Sequence, residues 1–245
     1  MILAINTSTL QFGIALLEED GRVTAEYFMS EKKGHYGSLM PALDFLFSVS
    51  EFNIHSVKAI FVSKGPGSFT GLRVGLSAVK GLCHALGVPV IGVSSLEALA
   101  GQILESSSAV TAVLDSRRGE LFAAQFVWRK NTLLRQTEDV CCKIEDFPAL
   151  FPNPGILIGN DYLNQALNIM RCFGEGISLA PVHYWNLRAS SIGFAGLDRF
   201  RLNDFDDPNT LDPVYFRPPD IRPNPFASAS DSFSGKKNMD IDKAG

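Results

Sequence analysis

A basic surplus is what this 245-residue sequence most plainly lacks: 22 Lys and Arg stand against 26 Asp and Glu, a formal net charge of −4. A chain that grips RNA or DNA unaided draws most of its affinity from phosphate neutralisation and shows a Lys/Arg-rich stripe. None is visible, so any nucleic-acid role has to run through a partner. Histidine is scarce: His35, His55, His84 and His183 are scattered, with no i, i+4 pair. The four cysteines, Cys83, Cys141, Cys142 and Cys172, form neither a CxxC pair nor a zinc spacing. Adjacent Cys141 and Cys142 read as two thiols in a reducing compartment rather than as a strained vicinal disulfide. No apolar run approaches the roughly 20 residues of a membrane span. The opening MILAINTST has neither the basic n-region nor the small-residue cleavage site of a secretory leader. The expectation is a soluble, cytoplasmic protein with no metal, no cofactor and no membrane contact.

What is present is an α/β pattern written twice. MILAI, FGIALLEE (12–19) and VTAEYFMS (23–30) read as three consecutive strands, the last two joined by the turn EDGR. SLMPALDFLFSV places Leu39, Leu43, Leu46 and Phe47 at helical spacing, with Ser38 as its cap. AIFVS (59–63) is a strand, a helix follows to about Leu86, PVIGVS (89–94) is a strand and SLEALAGQILES is a helix. The order is βββαβαβα. The second half repeats it with strands at 109–116, 119–128, 132–140 and 155–160, a helix at 162–173, a weak strand ISLA and a final helix LRASSIGFAGLDRFRL. Two α/β lobes follow, 1–107 and 108–215. The tail 216–245 is proline-rich and then low in hydrophobicity, and reads as disordered.

The stretch KGPGSFTGLRVG, residues 64–75, links a strand to a helix. A Gly-rich turn at a helix N-terminus can hold an anion, and Gly65, Pro66, Gly67, Ser68, Phe69 and Thr70 form such a loop. The phosphate signatures nonetheless fail. The GK[ST] ending of a Walker loop is replaced by GLR, and GxGxxG is broken because Gly71 comes one residue late. Ser68 and Thr70 lack a nucleophile-elbow context and read as caps of the helix. Along that helix Leu72, Leu76, Val79, Cys83 and Leu86 make an apolar face, and Arg73, Ser77, Lys80 and His84 a polar one. Between them lies a strip of tiny residues, Gly71, Gly75, Ala78 and Ala85, widened by Val74 and Leu82. Two glycines inside a helix cost about 1 kcal/mol each relative to alanine. Close approach of another backbone would offset that cost. Either an element of this chain fills the strip, or a partner protein does.

NTST after the first strand, SKGPGSFTGLRVGLSAVKGLCHALGVPVIGVSSLEALA, LDSRRGELFAAQF and PVYFR together resemble the TsaB (YeaZ) family. That family supplies the bacterial accessory subunit for making threonylcarbamoyladenosine in tRNA. The resemblance covers roughly residues 1–217 and is strongest over 58–100. It implies the two-lobed actin-like ATPase fold. It also implies a non-catalytic role beside TsaD, the subunit that transfers the threonylcarbamoyl group, through helices of the N-terminal lobe. TsaE, an ATPase, joins that pair, and tRNA is met only through the complex. Separately, an unfilled apolar strip tends to find a copy of itself, so a homodimer is an expectation for the isolated chain. TsaD-type enzymes bind a metal through HxxxH, where this chain has Ser95 and Leu99. The family's usual aspartate after the first strand is here Asn6, which removes a charge that active ATPases of this fold use toward metal and phosphate.

Four residues remain as a vestigial anion site: Asn6, Thr7, Asp115 and Arg117. Asp115, Arg117, Arg118 and Glu120 also read simply as a solvated hairpin turn. His35 with Tyr36 has no nucleophile at recognisable spacing and reads as a loop histidine. NDFDDPN (203–209) has calcium-like oxygens without EF-hand spacing. The alternative to a scaffold is an ATP-binding phosphotransferase, or a peptidase-like enzyme, of the same fold.

Overall fold

Strand β1 (Ile2–Asn6) is buried along its whole length, and burial on both faces sets the architecture. Alternate residues of a strand point to opposite sides, so Leu3 and Ile5 enter one apolar layer while Ile2 and Ala4 enter another. β1 pairs antiparallel with β2 (Gln11–Leu17), which pairs antiparallel with β3 (Val23–Ser30). On its other side β1 pairs parallel with β4 (Ala59–Gly65), and β4 with β5 (Val90–Ser94). The first sheet therefore runs β3-β2-β1-β4-β5. The computed structural model describes residues 1–30, 36–104, 106–117, 119–173 and 177–216. His35, Arg118, the side chains of Tyr36 and Arg117, and the tail from residue 217 onward lie outside the described residues.

The second sheet repeats this order. β6 (Val110–Arg117) pairs antiparallel with β7 (Glu120–Arg129), β7 with β8 (Thr132–Arg135), and β6 parallel with β10 (Ile156–Gly159), which carries β11 (Ser178–Leu179). An additional strand, β9 (Val140–Lys143), also pairs with β7. The duplicated actin-like ATPase architecture expected from the sequence is the one observed.

Helices α1 (Leu39–Val49) and α2 (Phe69–Leu86) cover one face of the first sheet, where Leu43, Leu46, Leu76 and Val79 pack with Leu3, Ile5 and Ile14. α3 (Ser95–Ala100) leaves the first half and packs on β6 and β7. In the second half, α4 (Phe147–Leu150) and α5 (Leu167–Phe173) bury Phe147 and Ile169, and α6 (Ala189–Arg201) crosses back onto β1 and β2. One apolar core thus joins Phe61 of the first sheet to Phe126 and Trp185 of the second half. The entry of α6 is fixed from β3. Glu26 Oε1 accepts from the Ser190 amide and hydroxyl at 3.0 Å, and its Oε2 takes Arg188 Nη2 at 2.6 Å.

Three sequence expectations change. The strand expected at 132–140 is broken into β8 and β9. The Thr137 hydroxyl accepts from the Gln125 amide at 2.9 Å between them, and Arg135 pairs with Asp139 across the gap. α3 stops at Ala100, with Gly101 as its C-cap, rather than running to residue 106. Ser38 precedes α1 without a side-chain capping bond.

Candidate functional site

The loop that opens α2 is built for contact with the chain itself. Ser68 caps the helix, its Oγ accepting from the Gly71 amide at 3.4 Å, whereas Thr70 is exposed and makes no cap. The Ser68 amide donates to Ser8 O at 2.6 Å. A Cβ on Gly67 would stand 2.2 Å from that same Ser8 oxygen, and Pro66 is buried beside it. The glycine at 67 is there because the β1–β2 turn lies directly on it.

The same turn fills the upper half of the small-residue strip. Thr7 is 2% exposed, and its hydroxyl donates to Gly71 O at 2.8 Å. A Cβ on Gly75 would sit 2.2 Å from Thr7 Oγ1. Gly71 and Gly75 are therefore closed by this chain, which corrects their assignment to a partner surface. Further down α2 the picture differs. Val74, Ala78 and Leu82 are half-buried, Ala85 and Gly81 are exposed, and a Cβ on Gly81 would meet nothing within 4 Å. Gly81 was not among the residues singled out from the sequence. The open part of the strip is Val74, Ala78, Gly81, Leu82 and Ala85.

At the carboxyl end of β1 the polar groups are paired with one another. Asn6 is fully buried, and its amide donates to Gln11 O at 3.1 Å and to Leu187 O at 2.8 Å. Its Oδ1 accepts from the Ser8 amide at 3.0 Å, Ser8 Oγ at 2.8 Å and Ser63 Oγ at 3.2 Å. Both donors of this carboxamide are consumed, and its acceptor is more than filled.

The network continues from the first sheet to the second half of the chain. Gln11 Nε2 donates to Asn160 O at 2.6 Å, and Asn160 Nδ2 returns a bond to Gln11 Oε1 at 3.3 Å. Gln165 Nε2 donates to Asn160 Oδ1 at 3.0 Å, and Gln165 Oε1 accepts from the Asn160 and Asp161 amides. The Asp115 amide donates to Asn160 Oδ1 at 3.1 Å, while the Asp115 side chain is exposed. Of the four residues read as a vestigial anion site, Asn6 and Thr7 thus spend their polar groups inside the protein.

The metal-binding positions of the resembling enzymes do not fit a metal here. Ser95 is buried and donates to Ser8 Oγ at 3.1 Å, and Leu99 lies in the apolar core. A hydroxyl committed to a neighbour and an isobutyl group offer no useful ligand. Between β5 and β8, Arg135 Nη2 reaches Ser94 Oγ at 3.1 Å. Burial raises the Glu97 and Asp139 carboxyls above their ordinary range, with the Arg135 guanidinium pulling the other way in both. Sequence reading missed Gln11, Asn160 and Gln165. Gln11 and Asn160 stand 149 residues apart, and no local spacing signals an amide pair across such a gap.

Two sheets that share one five-strand order, with their closing helices exchanged between them, make up the actin-like ATPase fold. A family model described as TsaD, tRNA N6-adenosine threonylcarbamoyltransferase, matches residues 22–204. A Bacillus subtilis protein named tRNA threonylcarbamoyladenosine biosynthesis protein TsaB is 31% identical over 219 residues, covering 88% of this chain and 93% of that one. The Escherichia coli protein of the same name is 33% identical over 127 residues, covering 51% of this chain and 54% of the other. YeaZ from Pseudomonas aeruginosa superposes with a TM-score of 0.70 at 23% identity, over 87% of this chain and 98% of that one. The chain belongs to the TsaB (YeaZ) family. No helix among the described residues is long and apolar enough to cross a membrane.

Proposed function

We propose that this chain is a non-catalytic subunit of tRNA threonylcarbamoyladenosine biosynthesis, which holds a TsaD-type catalytic subunit through the outward strip of α2. A TsaE-type ATPase joins that pair, and tRNA is met only through the assembly. The observation that carries the reading is the amide network at the carboxyl end of β1. In a nucleotide-using relative, the first-strand turn offers polar groups to phosphate and metal. Here the Asn6 carboxamide is spent on Gln11, Leu187, Ser8 and Ser63, and the Gln11 carboxamide is spent on Asn160. A ligand entering between them would have to displace buried hydrogen bonds, each costly to leave unmade. What stays open among the described residues is the lower part of the α2 strip, where a Cβ on Gly81 would meet nothing within 4 Å. Without the partner, the same surface pairs with a second copy.

Co-purification with the TsaD-type subunit of the same organism tests the binding. Gly81→Leu and Ala85→Glu, both at exposed positions, abolish the pair without lowering the melting temperature; intact complexes from both variants would refute the interface. Calorimetry of the isolated chain with ATP and magnesium tests the other half. Saturable heat there would return the protein to the phosphotransferase alternative.

A further inference from the structure

The segment after α6 runs as a strap from the first sheet, past α2, to the second sheet. The Asp206 amide donates to Val90 O at 2.9 Å, and Leu211 is buried in the core under α2. Asp212 stands 3.6 Å from Lys80 Nζ, and the Val214 amide donates to Lys64 O at 2.8 Å. Gly65 makes room for the strap, since a Cβ there would lie 2.6 Å from Val214 O. Phe216 then reaches Phe122 of the second sheet, with ring centroids 6.2 Å apart.

Where the strap crosses the first turns of α2 it fixes an arginine. The Tyr215 ring lies 4.9 Å from that of Phe69, and the Arg73 guanidinium sits 4.1 Å above the Phe69 ring. Arg73 Nε donates to Tyr215 Oη at 2.9 Å. The side chain is exposed, and its Nη1 and Nη2 groups meet no acceptor among the described residues. A free arginine carries rotamer entropy, much of it lost on binding. Here the stack and the hydrogen bond orient the guanidinium before any partner arrives. What remains outward is the edge that receives a carboxylate with two parallel bonds.

We propose that Arg73, held by Phe69 and Tyr215, is the rim cation of the α2 interface and receives an Asp or Glu side chain of the protein partner. This rests on the reading of α2 as the partner face. On the helix, Arg73 and Ser77 border the open strip of Val74, Gly81 and Ala85 on its polar side. A protein carboxylate fits better than an RNA phosphate. Phosphate tracking needs several cations in a row, and Lys80, two turns further on, already faces Asp212.

The test is affinity for the TsaD-type subunit across a salt series, with wild type, Arg73→Ala, Arg73→Lys, Tyr215→Phe and Ala85→Glu. Arg73→Ala weakens binding about tenfold at low salt and flattens the salt dependence, as loss of a rim charge pair does. Arg73→Lys keeps the charge but not the fork and recovers only part of the affinity. Tyr215→Phe keeps the charge and loses the orienting bond, so it falls between Arg73→Lys and wild type. Wild-type affinity and salt slope for Arg73→Ala, while Ala85→Glu abolishes the pair, would overturn the inference and leave the interface standing. Failure of wild type to bind, or tight binding by Ala85→Glu, would sink the interface itself. An unchanged binary pair with weaker tRNA retention by the assembled complex would make Arg73 a phosphate contact and equally overturn the proposal.

Discussion

Replacing Asn6 by the family's usual aspartate asks whether the carboxyl end of β1 is built around an amide. Two carbonyl oxygens, of Gln11 and Leu187, lie 3.1 and 2.8 Å from the amide nitrogen. An ionised carboxylate would turn an oxygen toward both, so two donated bonds become two repulsions in a fully buried position. A buried carbonyl left without its donor costs about 1–3 kcal/mol. Asn6→Asp should therefore lower stability by about 2–4 kcal/mol at neutral pH, with part of the loss avoided by keeping the acid protonated.

That escape gives the variant a pH signature. Burial beside carbonyls raises the folded-state pKa of the new carboxyl above its unfolded value near 3.9. Between those two pKa values the folded state binds more protons than the unfolded one, so variant stability falls as pH rises through that window. The gap from wild type is smallest near pH 4 and widens toward pH 8. Urea unfolding of both proteins at pH 5 and pH 8 measures it. A variant as stable as wild type at pH 8, or a gap that narrows as pH rises, would refute the account of Asn6 as an amide donor.

Other outcomes follow from the same contacts. Gly75→Ala drives a methyl toward Thr7 Oγ1, where only 2.2 Å is available; it costs about 1–3 kcal/mol alone, and a Thr7→Gly background recovers part of that in a double-mutant cycle. Gly81→Ala, with nothing within 4 Å, raises helix stability by about 0.5–1 kcal/mol while weakening the TsaD-type pair, so thermal melts and binding move in opposite directions. Glu26→Ala removes the acceptor for two donors at the start of α6 and the partner of Arg188; a loss of about 1–3 kcal/mol in chemical unfolding is expected. Burial pushes the Cys83 and Cys142 thiols up to about 11, so alkylation of the native protein at pH 8 modifies exposed Cys172 first and spares those two until the chain unfolds.

Most of the fold was legible because each strand is bounded by its own turn chemistry and each half supplies all the strands of its own sheet. Ile2–Asn6, Ala59–Gly65 and Val90–Ser94 each open on an apolar run of four residues or nearly so, as the parallel part of a sheet buried on both faces requires. The helix from Phe69 to Leu86 has a side-chain cap at Ser68 and a left-handed glycine at 87. The places that failed are those where a distant residue decides. A run such as TLLRQTEDV carries no local sign that Thr137 will bond the Gln125 amide and divide it into two strands. The amide pair of Gln11 and Asn160 is invisible for the same reason.

The small-residue strip joins both cases and is the most instructive. Helical spacing alone puts Gly71, Gly75, Ala78 and Ala85 on one line, and small residues permit close approach without naming what approaches. Thr7, a hydroxyl residue in a turn 64 positions earlier, takes the first two glycines. A substitution at Gly75 would therefore damage the fold before it touched a partner, and loss of binding there would say nothing about the interface. The second half of the line is different in kind. At Gly81 no atom of the described residues would meet a Cβ and there is no helix cap to serve, so the helix bears the cost of a glycine with nothing among the described residues to offset it. That unmatched cost, one and a half turns beyond the last contact with Thr7, is the physical reason to place the partner on the lower part of α2 rather than at the glycine-rich loop.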